Sequence, residues 1–369
     1  GLAAVAAPQL DTDGDFFTLH HRRPLGFGIG CGASTTAGDA HFAEEYVDLA
    51  YVEVRYACTA DGCQDTTPVW IGSEQCGFDQ GRVRHGIANV QAFLVIAATV
   101  DFDGDELGRP GTVFTTFPFT GARKGTKGAG EVTYTAFSIG ISSLDFWRDR
   151  LRKFGITVSD VLTRFGDSLI RFEDQDGMGI ELVANGEDDR PGWTYGQIPL
   201  EHSIKGFYGA TLNLRAKELT EQLLTRHMDY KFIAQEGERY RYGTEGKPGD
   251  IVDIVIDKSG NRGMQSAGTV HHIAFRTANM QSQLVIQEIL MKNGYQVTEV
   301  RDRNYFKSIY FREPGGVLFE IATDEPGFAI DEDEAHLGVL LKLPEWAEPS
   351  RKRIEAALVP VSLNPENYV

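Results

Sequence analysis

The chain has 369 residues, 41% of them hydrophobic and 11% aromatic, which is material for packed cores and speaks against intrinsic disorder. Asp and Glu number 53 against 36 Lys and Arg, a formal charge of −17. A surface that acidic repels phosphate backbones and anionic headgroups, so neither nucleic acid nor membrane is expected as a partner. The length favours two domains at roughly 100–200 residues each. No apolar run approaches the ~18 residues of a membrane span. The apolar start Gly1–Ala7 is too short for a signal core. Four cysteines make no disulfide scaffold, and a reducing, cytoplasmic setting is expected.

In chain order, Phe17–His21 reads as a strand. Residues 22–100, which hold Cys31, Cys58, Cys63 and Cys76, lack clean periodicity. Val132–Phe137 reads as a strand. Leu144–Phe154 carries apolar residues at helical spacing and stops before Gly155, a plausible left-handed cap. Strands follow at Val158–Leu162, Ser168–Phe172 and Gly179–Val183. The same order recurs as strand Ala210–Leu214, helix Lys217–His227 and strands near Tyr230–Ala234, Arg239–Gly243 and Ile251–Ile256. It recurs again as strand Val270–Thr277, helix Gln281–Lys292 and strands Val297–Val300, Lys307–Arg312 and Val317–Ala322. An acidic loop and a helix over Arg351–Leu358 end the chain.

These are repeats. Setting Glu181 over Glu320 pairs Gly155 with Gly294, Arg164 with Arg303, Ile170 with Ile309 and Phe172 with Phe311. A fixed period of this kind marks duplicated units. Each unit is β-α-β-β-β, and one alone leaves the concave face of its sheet open. Three visible units predict a fourth within residues 17–120.

Alternation in the last unit sorts its side chains between two faces. Ile273, Phe275, Ile309, Phe311, Phe319 and Ile321 form the apolar face that must pack on the helix. His272, Tyr310 and Glu320 then point together into the concave side, where each is costly to bury unpaired. His272 and Glu320 supply two metal donors. The pair His20-His21 parallels His271-His272 and offers a third. Two His and one carboxylate form the facial triad that leaves open positions on non-heme Fe(II), and Mn(II) suits the same ligands.

Residues 130–360 resemble the ring-cleaving dioxygenases of the vicinal-oxygen-chelate, or glyoxalase-like, superfamily, and within it the hydroquinone dioxygenases. The resemblance rests on Gly108–Pro118, Arg164-Phe165-Gly166, Val270-His271-His272, Arg303-Asn304-Tyr305-Phe306, Glu313–Glu320, and Asp324–Phe328 with Leu341–Pro344. It implies an α+β fold of tandem βαβββ modules, in two domains of two modules each. The boundaries it suggests are 1–195, 196–327 with the metal site, and a tail over 328–369; residues 22–100 match nothing in the pattern. It implies His21, His272 and Glu320 as Fe(II) ligands, with His20, His271, Arg303 and Tyr310 as pocket residues. It further implies an extradiol-type cleavage of a hydroquinone by O2. The same modules also serve metal-dependent isomerases and non-catalytic small-molecule binders, which metal content would separate. A homo-oligomer is compatible with the sequence.

Other motifs carry less. Glu181, the mate of Glu320, has Thr133 or Tyr134 where a second His is needed, and reads as a relic of duplication. Gly28-Ile29-Gly30-Cys31-Gly32-Ala33 fits a dinucleotide fingerprint but no βαβ unit surrounds it. Asp11-x-Asp13-x-Asp15 and Asp101-x-Asp103-x-Asp105 lack the twelfth-position Glu of a calcium loop and read as solvated turns. Cys58 and Cys63 with Cys76 or His85 have irregular spacing for zinc.

Overall fold

The computed structural model describes residues 2–5, 101–105, 107–116, 122–192, 198–337 and 340–357. Phe17–His21, the four cysteines and the Gly28–Ala33 motif lie outside them. Three short strands come first: β1 (Leu2–Val5), β2 (Asp101–Asp103) and β3 (Phe114–Thr116). One β-α-β-β-β unit follows: β4 (Glu131–Ile139), α1 (Leu144–Lys153), β5 (Leu162–Arg164), β6 (Asp167–Glu173) and β7 (Gly179–Ala184). The next comprises β8 (Ile204–Leu214), α2 (Glu218–His227), β9 (Lys231–Glu236), β10 (Arg239–Gly243) and β11 (Ile251–Ile256). The last comprises β12 (His272–Thr277), α3 (Met280–Lys292), β13 (Arg301–Asp302), β14 (Phe306–Arg312) and β15 (Leu318–Pro326), and α4 (Arg351–Ala357) lies in the tail. The α+β class and the repeated module are as expected.

Two sheets carry the fold. The larger has eight strands in the order β5-β6-β7-β4-β8-β11-β10-β9, and the smaller has five in the order β1-β12-β15-β14-β13. The larger is joined at its middle by the antiparallel first strands of two units, β4 with β8, while in the smaller β1 pairs antiparallel with β12 at the edge. The pairing of β4 with β8 therefore runs across the boundary expected at 195/196: the second and third units share one sheet. Alternation says which face a side chain takes, but not which strand edges meet. The slot beside β12 holds Leu2–Val5, with Leu2 opposite Phe275.

The helices obey their apolar spacing. Trp147 and Leu151 of α1, Leu223 and Leu224 of α2, and Leu290 of α3 are fully buried in a core shared with both sheets. Each such side chain is worth about 1.5–3 kcal/mol of transfer free energy. Gly155 and Gly294 both take positive φ, +75° and +88°, just past α1 and α3. The amide that follows each glycine donates back into the helix, Ile156 to Leu151 and Tyr295 to Leu290, the cap that Gly best tolerates. An Asn279–Ser282 capping box starts α3.

Two expected strands are displaced. Val158 makes a single bridge to Phe172 and Val297 one to Phe311; the regular pairing begins later, at β5 and β13. Asp101–Asp103 forms β2 rather than a turn, whereas Asp105 does cap a turn, accepting from the amides of Leu107 and Arg109. Among the described residues no helix is long and apolar enough to cross a membrane.

Candidate active site

β12 and β15 run parallel and side by side at the middle of the smaller sheet, with β14 antiparallel on the far side of β15. Their outer faces, Ile273, Phe275, Ile309, Phe311, Phe319 and Ile321, all enter the core. This leaves His272, Tyr310 and Glu320 on the concave face, and the structure brings the three together. His272 Nε2 lies 2.6 Å from Glu320 Oε2, and both side chains are fully buried. Tyr310 donates its hydroxyl to Glu320 Oε1 at 3.0 Å, and Ser308 donates to the same oxygen. Arg303, also buried, holds its guanidinium carbon 5.4 Å from the Tyr310 ring centre.

His271 immediately precedes β12, so it escapes the alternation that would turn it away from His272. Its Nδ1 lies 2.9 Å from His272 Nδ1, while its carbonyl accepts from Gln265. One of the two Nδ1 atoms must carry a proton and the other accept it. With His272 Nε2 given to a metal, His272 Nδ1–H is the donor and its ring orientation is fixed.

The electrostatics favour a cation. Burial lowers the His272 pKa, and the Glu320 contact offsets this only in part, so the imidazole is neutral, the form that ligates metals. Burial raises Glu320, but its bonds to His272 and Ser308 and the charge of Arg303 outweigh that and hold it below the ordinary carboxylate range. Burial pushes Tyr310 well above a normal phenol, with Arg303 opposing. Tyr310 is therefore a hydrogen-bond donor in this state. A neutral imidazole and an ionised carboxylate aimed at one point fit two positions of a metal site. No group of three or more His, Cys, Asp or Glu side chains suited to a metal occurs among the described residues. The remaining expected donor, His21, and its neighbour His20 lie outside the described residues.

Glu320 opens on a cavity of 270 Å³. The segment Leu107–Thr115 lines it, as do Tyr305 and Phe328, whose rings stack at 4.8 Å. Gly108, at φ +59°, lets the chain lie against Phe328: a Cβ there would come within 2.9 Å of the ring. Alternation did not reveal this wall, because it arrives from a distant part of the chain; the only signal was the Gly108–Pro118 motif. Ser308 shares the face of Tyr310 by alternation, but the sequence pattern does not single it out as a partner of Glu320.

Known proteins resemble this chain over most of its length. The model of the Glyoxalase/Bleomycin resistance protein/Dioxygenase superfamily matches residues 202–321. MhqO of Bacillus subtilis (strain 168), assigned by name to the ring-cleaving dioxygenases, is 41% identical over 282 residues, 74% of this chain and 90% of that one. Chlorohydroquinone/hydroquinone 1,2-dioxygenase of Sphingobium indicum is 34% identical over 253 residues, 66% of this chain and 78% of the relative. A crystal structure of a Bacillus subtilis protein assigned as a dioxygenase matches with a TM-score of 0.69 at 41% identity, covering 72% of this chain and 86% of its own. The chain therefore belongs to the Glyoxalase/Bleomycin resistance protein/Dioxygenase superfamily, among its ring-cleaving dioxygenases.

Proposed function

We propose that the protein is an Fe(II)-dependent, extradiol-type dioxygenase that opens the ring of a hydroquinone beside one hydroxyl. Mn(II) is the alternative metal, His21 the third ligand, His20 its pocket neighbour, and the cytoplasm the setting. The observation that carries this reading is the buried His272–Glu320 pair. Its carboxylate is bonded by neutral donors, kept anionic, and lines a cavity large enough for one aromatic ring. When bound, Fe(II) lets the substrate oxygen and O2 meet and exchange electrons.

The chain's own groups do the rest. Tyr310, held protonated and aimed at Glu320, donates a hydrogen bond or a proton at the substrate oxygen. Arg303 supplies fixed positive charge where negative charge grows in the ring. His271 holds the orientation of His272 and can relay a proton. In the balanced reaction the carbon–carbon bond beside the hydroxyl-bearing carbon breaks and both atoms of O2 enter the product. That carbon becomes a carboxylic acid and its neighbour an aldehyde.

Anaerobic iron loading, followed by oxygen uptake with hydroquinone, methylhydroquinone and catechol, tests the proposal. One iron per chain and one O2 consumed per hydroquinone is the expected result. Zinc or nickel retention without oxygen uptake would instead identify an isomerase, and no metal at all a binding protein.

A further inference from the structure

The concave face of β12 and β15 carries three successive diagonal pairs: His272 with Glu320, Ala274 with Ala322, and Arg276 with Asp324. All are related by the same offset between the two strands. The first pair is the candidate metal site. The second is two methyl groups, which leaves the sheet surface between the outer pairs empty; Ala274, Ala322, Arg276 and Asp324 all line the cavity. The third pair lines the same cavity further along the strands. Arg276 Nε donates to Asp324 Oδ1 at 3.0 Å and Nη2 to Oδ2 at 2.5 Å, and the side chains are 46% and 25% exposed. From Glu320 to Asp324 is four strand residues, about 13 Å.

This geometry measures a ligand. Two vicinal oxygens can share one metal, and such a ring presents only carbon to the far end of the cavity. Two para oxygens cannot. With one at the His272–Glu320 end, the other is carried along the alanine floor towards Arg276 and Asp324. The ion pair uses Nε and Nη2, so Nη1 is oriented by the fork while its protons take no part in the pair, and each carboxylate oxygen has a spare lone pair. A hydroxyl, which both donates and accepts, satisfies both partners.

We propose that Arg276 and Asp324 are specificity-determining residues that bind the distal hydroxyl of a para-dihydroxybenzene, selecting it over an ortho-diol or a monophenol. The inference rests on the ring-cleaving reading for its substrate class. Its test is separable, because binding can be read without turnover.

Iron-loaded protein would be titrated anaerobically with hydroquinone and with phenol, and the Arg276→Ala, Asp324→Asn and doubly substituted R276A/D324A proteins treated alike. The wild type is expected to favour hydroquinone by about tenfold, the scale of one charge-assisted hydrogen bond at a half-exposed site. The double variant is expected to bind the two compounds within twofold of each other, with phenol affinity unchanged. In oxygen uptake the hydroquinone-to-catechol ratio of kcat/KM should fall by a similar factor, while Lys292→Ala, which breaks an exposed pair on α3, leaves it unaltered. Circular dichroism confirms that each variant is folded. A wild type without preference for hydroquinone, or a double variant that retains the preference, overturns the proposal. Normal discrimination in binding with no oxygen uptake for any diol would sink the ring-cleaving reading instead.

Discussion

Glu181 and Glu320 occupy the same position in two copies of one module, and their fates differ. Glu320 is held by an imidazole and two hydroxyls. Glu181 is held by guanidiniums: Arg164 grips both its oxygens at 2.6 Å, and Arg171 adds two contacts to one of them, at 2.7 and 3.1 Å. The substitutions behind this are legible one by one. Where the last unit has His272, Ser308 and Tyr310, the earlier one has Thr133, Leu169 and Arg171. The arginine that precedes the same turn also behaves differently: Arg303 faces the Tyr310 ring, while its mate Arg164 closes on the carboxylate. In the larger sheet Asp253 is likewise taken by Arg239 and Arg241, and Arg241 reaches Asp167 and Tyr208 as well. A buried carboxylate neutralised by fixed cations is a structural lock. One surrounded by neutral donors keeps its charge for an incoming cation.

The largest effect expected from this contrast is catalytic. Glu320→Gln should remove bound iron and bring oxygen uptake below detection while leaving circular dichroism unchanged. Retention of stoichiometric iron would show that Glu320 is no ligand. Glu181→Ala should do the reverse. It strands Arg164 and Arg171 beside a hole, and breaking a buried pair in this way costs about 3–5 kcal/mol in a urea titration, with iron per folded chain intact. A stable E181A protein that lost its iron would erase the distinction between the two carboxylates.

Tyr310→Phe keeps the ring beneath Arg303 and removes only the hydroxyl. The expected loss in kcat is about 10–100-fold, with iron retained; no loss would reduce the tyrosine to packing. The smaller effects are in pH dependence. Burial raises Glu181, but Arg164 and Arg171 outweigh it and hold its folded-state pKa below the ordinary carboxylate range. That stabilisation is present above the unfolded value and is lost as pH falls through the folded one. Glu181→Gln should therefore flatten the acid limb of a stability–pH curve. Asp174 has the opposite sign. Burial and the neighbouring Asp176 push it up to about 7, against the turn amides it accepts from. Its protonated form suits the fold, and stability drains away as pH rises towards 7. Asp174→Asn should gain on the order of 1 kcal/mol at pH 8 and nothing at pH 4, read as thermal midpoints.

Much of the site was legible because a strand has only two faces. Once the apolar set of β12, β14 and β15 was assigned to the core, His272, Tyr310 and Glu320 had to share the other side. Alternation over the expected strand Val270–Thr277 turned His271 away from His272, whereas the regular strand begins only at His272; it was silent on the cavity wall from Leu107 to Thr115, which comes from another region. Helix ends were marked by Gly155 and Gly294, whose positive φ has a sequence cause. The sheet edges had no such marker. Nothing in the composition of β4 announces that it joins β8 rather than a strand of an earlier unit, and Val158 and Val297 look like strand residues although each makes only one bridge.

The junction between β1 and β12 ties Leu2 to Phe275, whereas β4 and β8 are joined by neighbours along the polypeptide. Closing the longer loop has the greater entropic cost, and non-local pairings of this kind form slowly. The eight-stranded half can assemble while the ribosome is still at work; the half that carries His272 and Glu320 must wait for its final strands to emerge. Refolding should therefore restore tryptophan burial at Trp147 before it restores competence to capture ferrous ion, a delay that stopped-flow mixing can time.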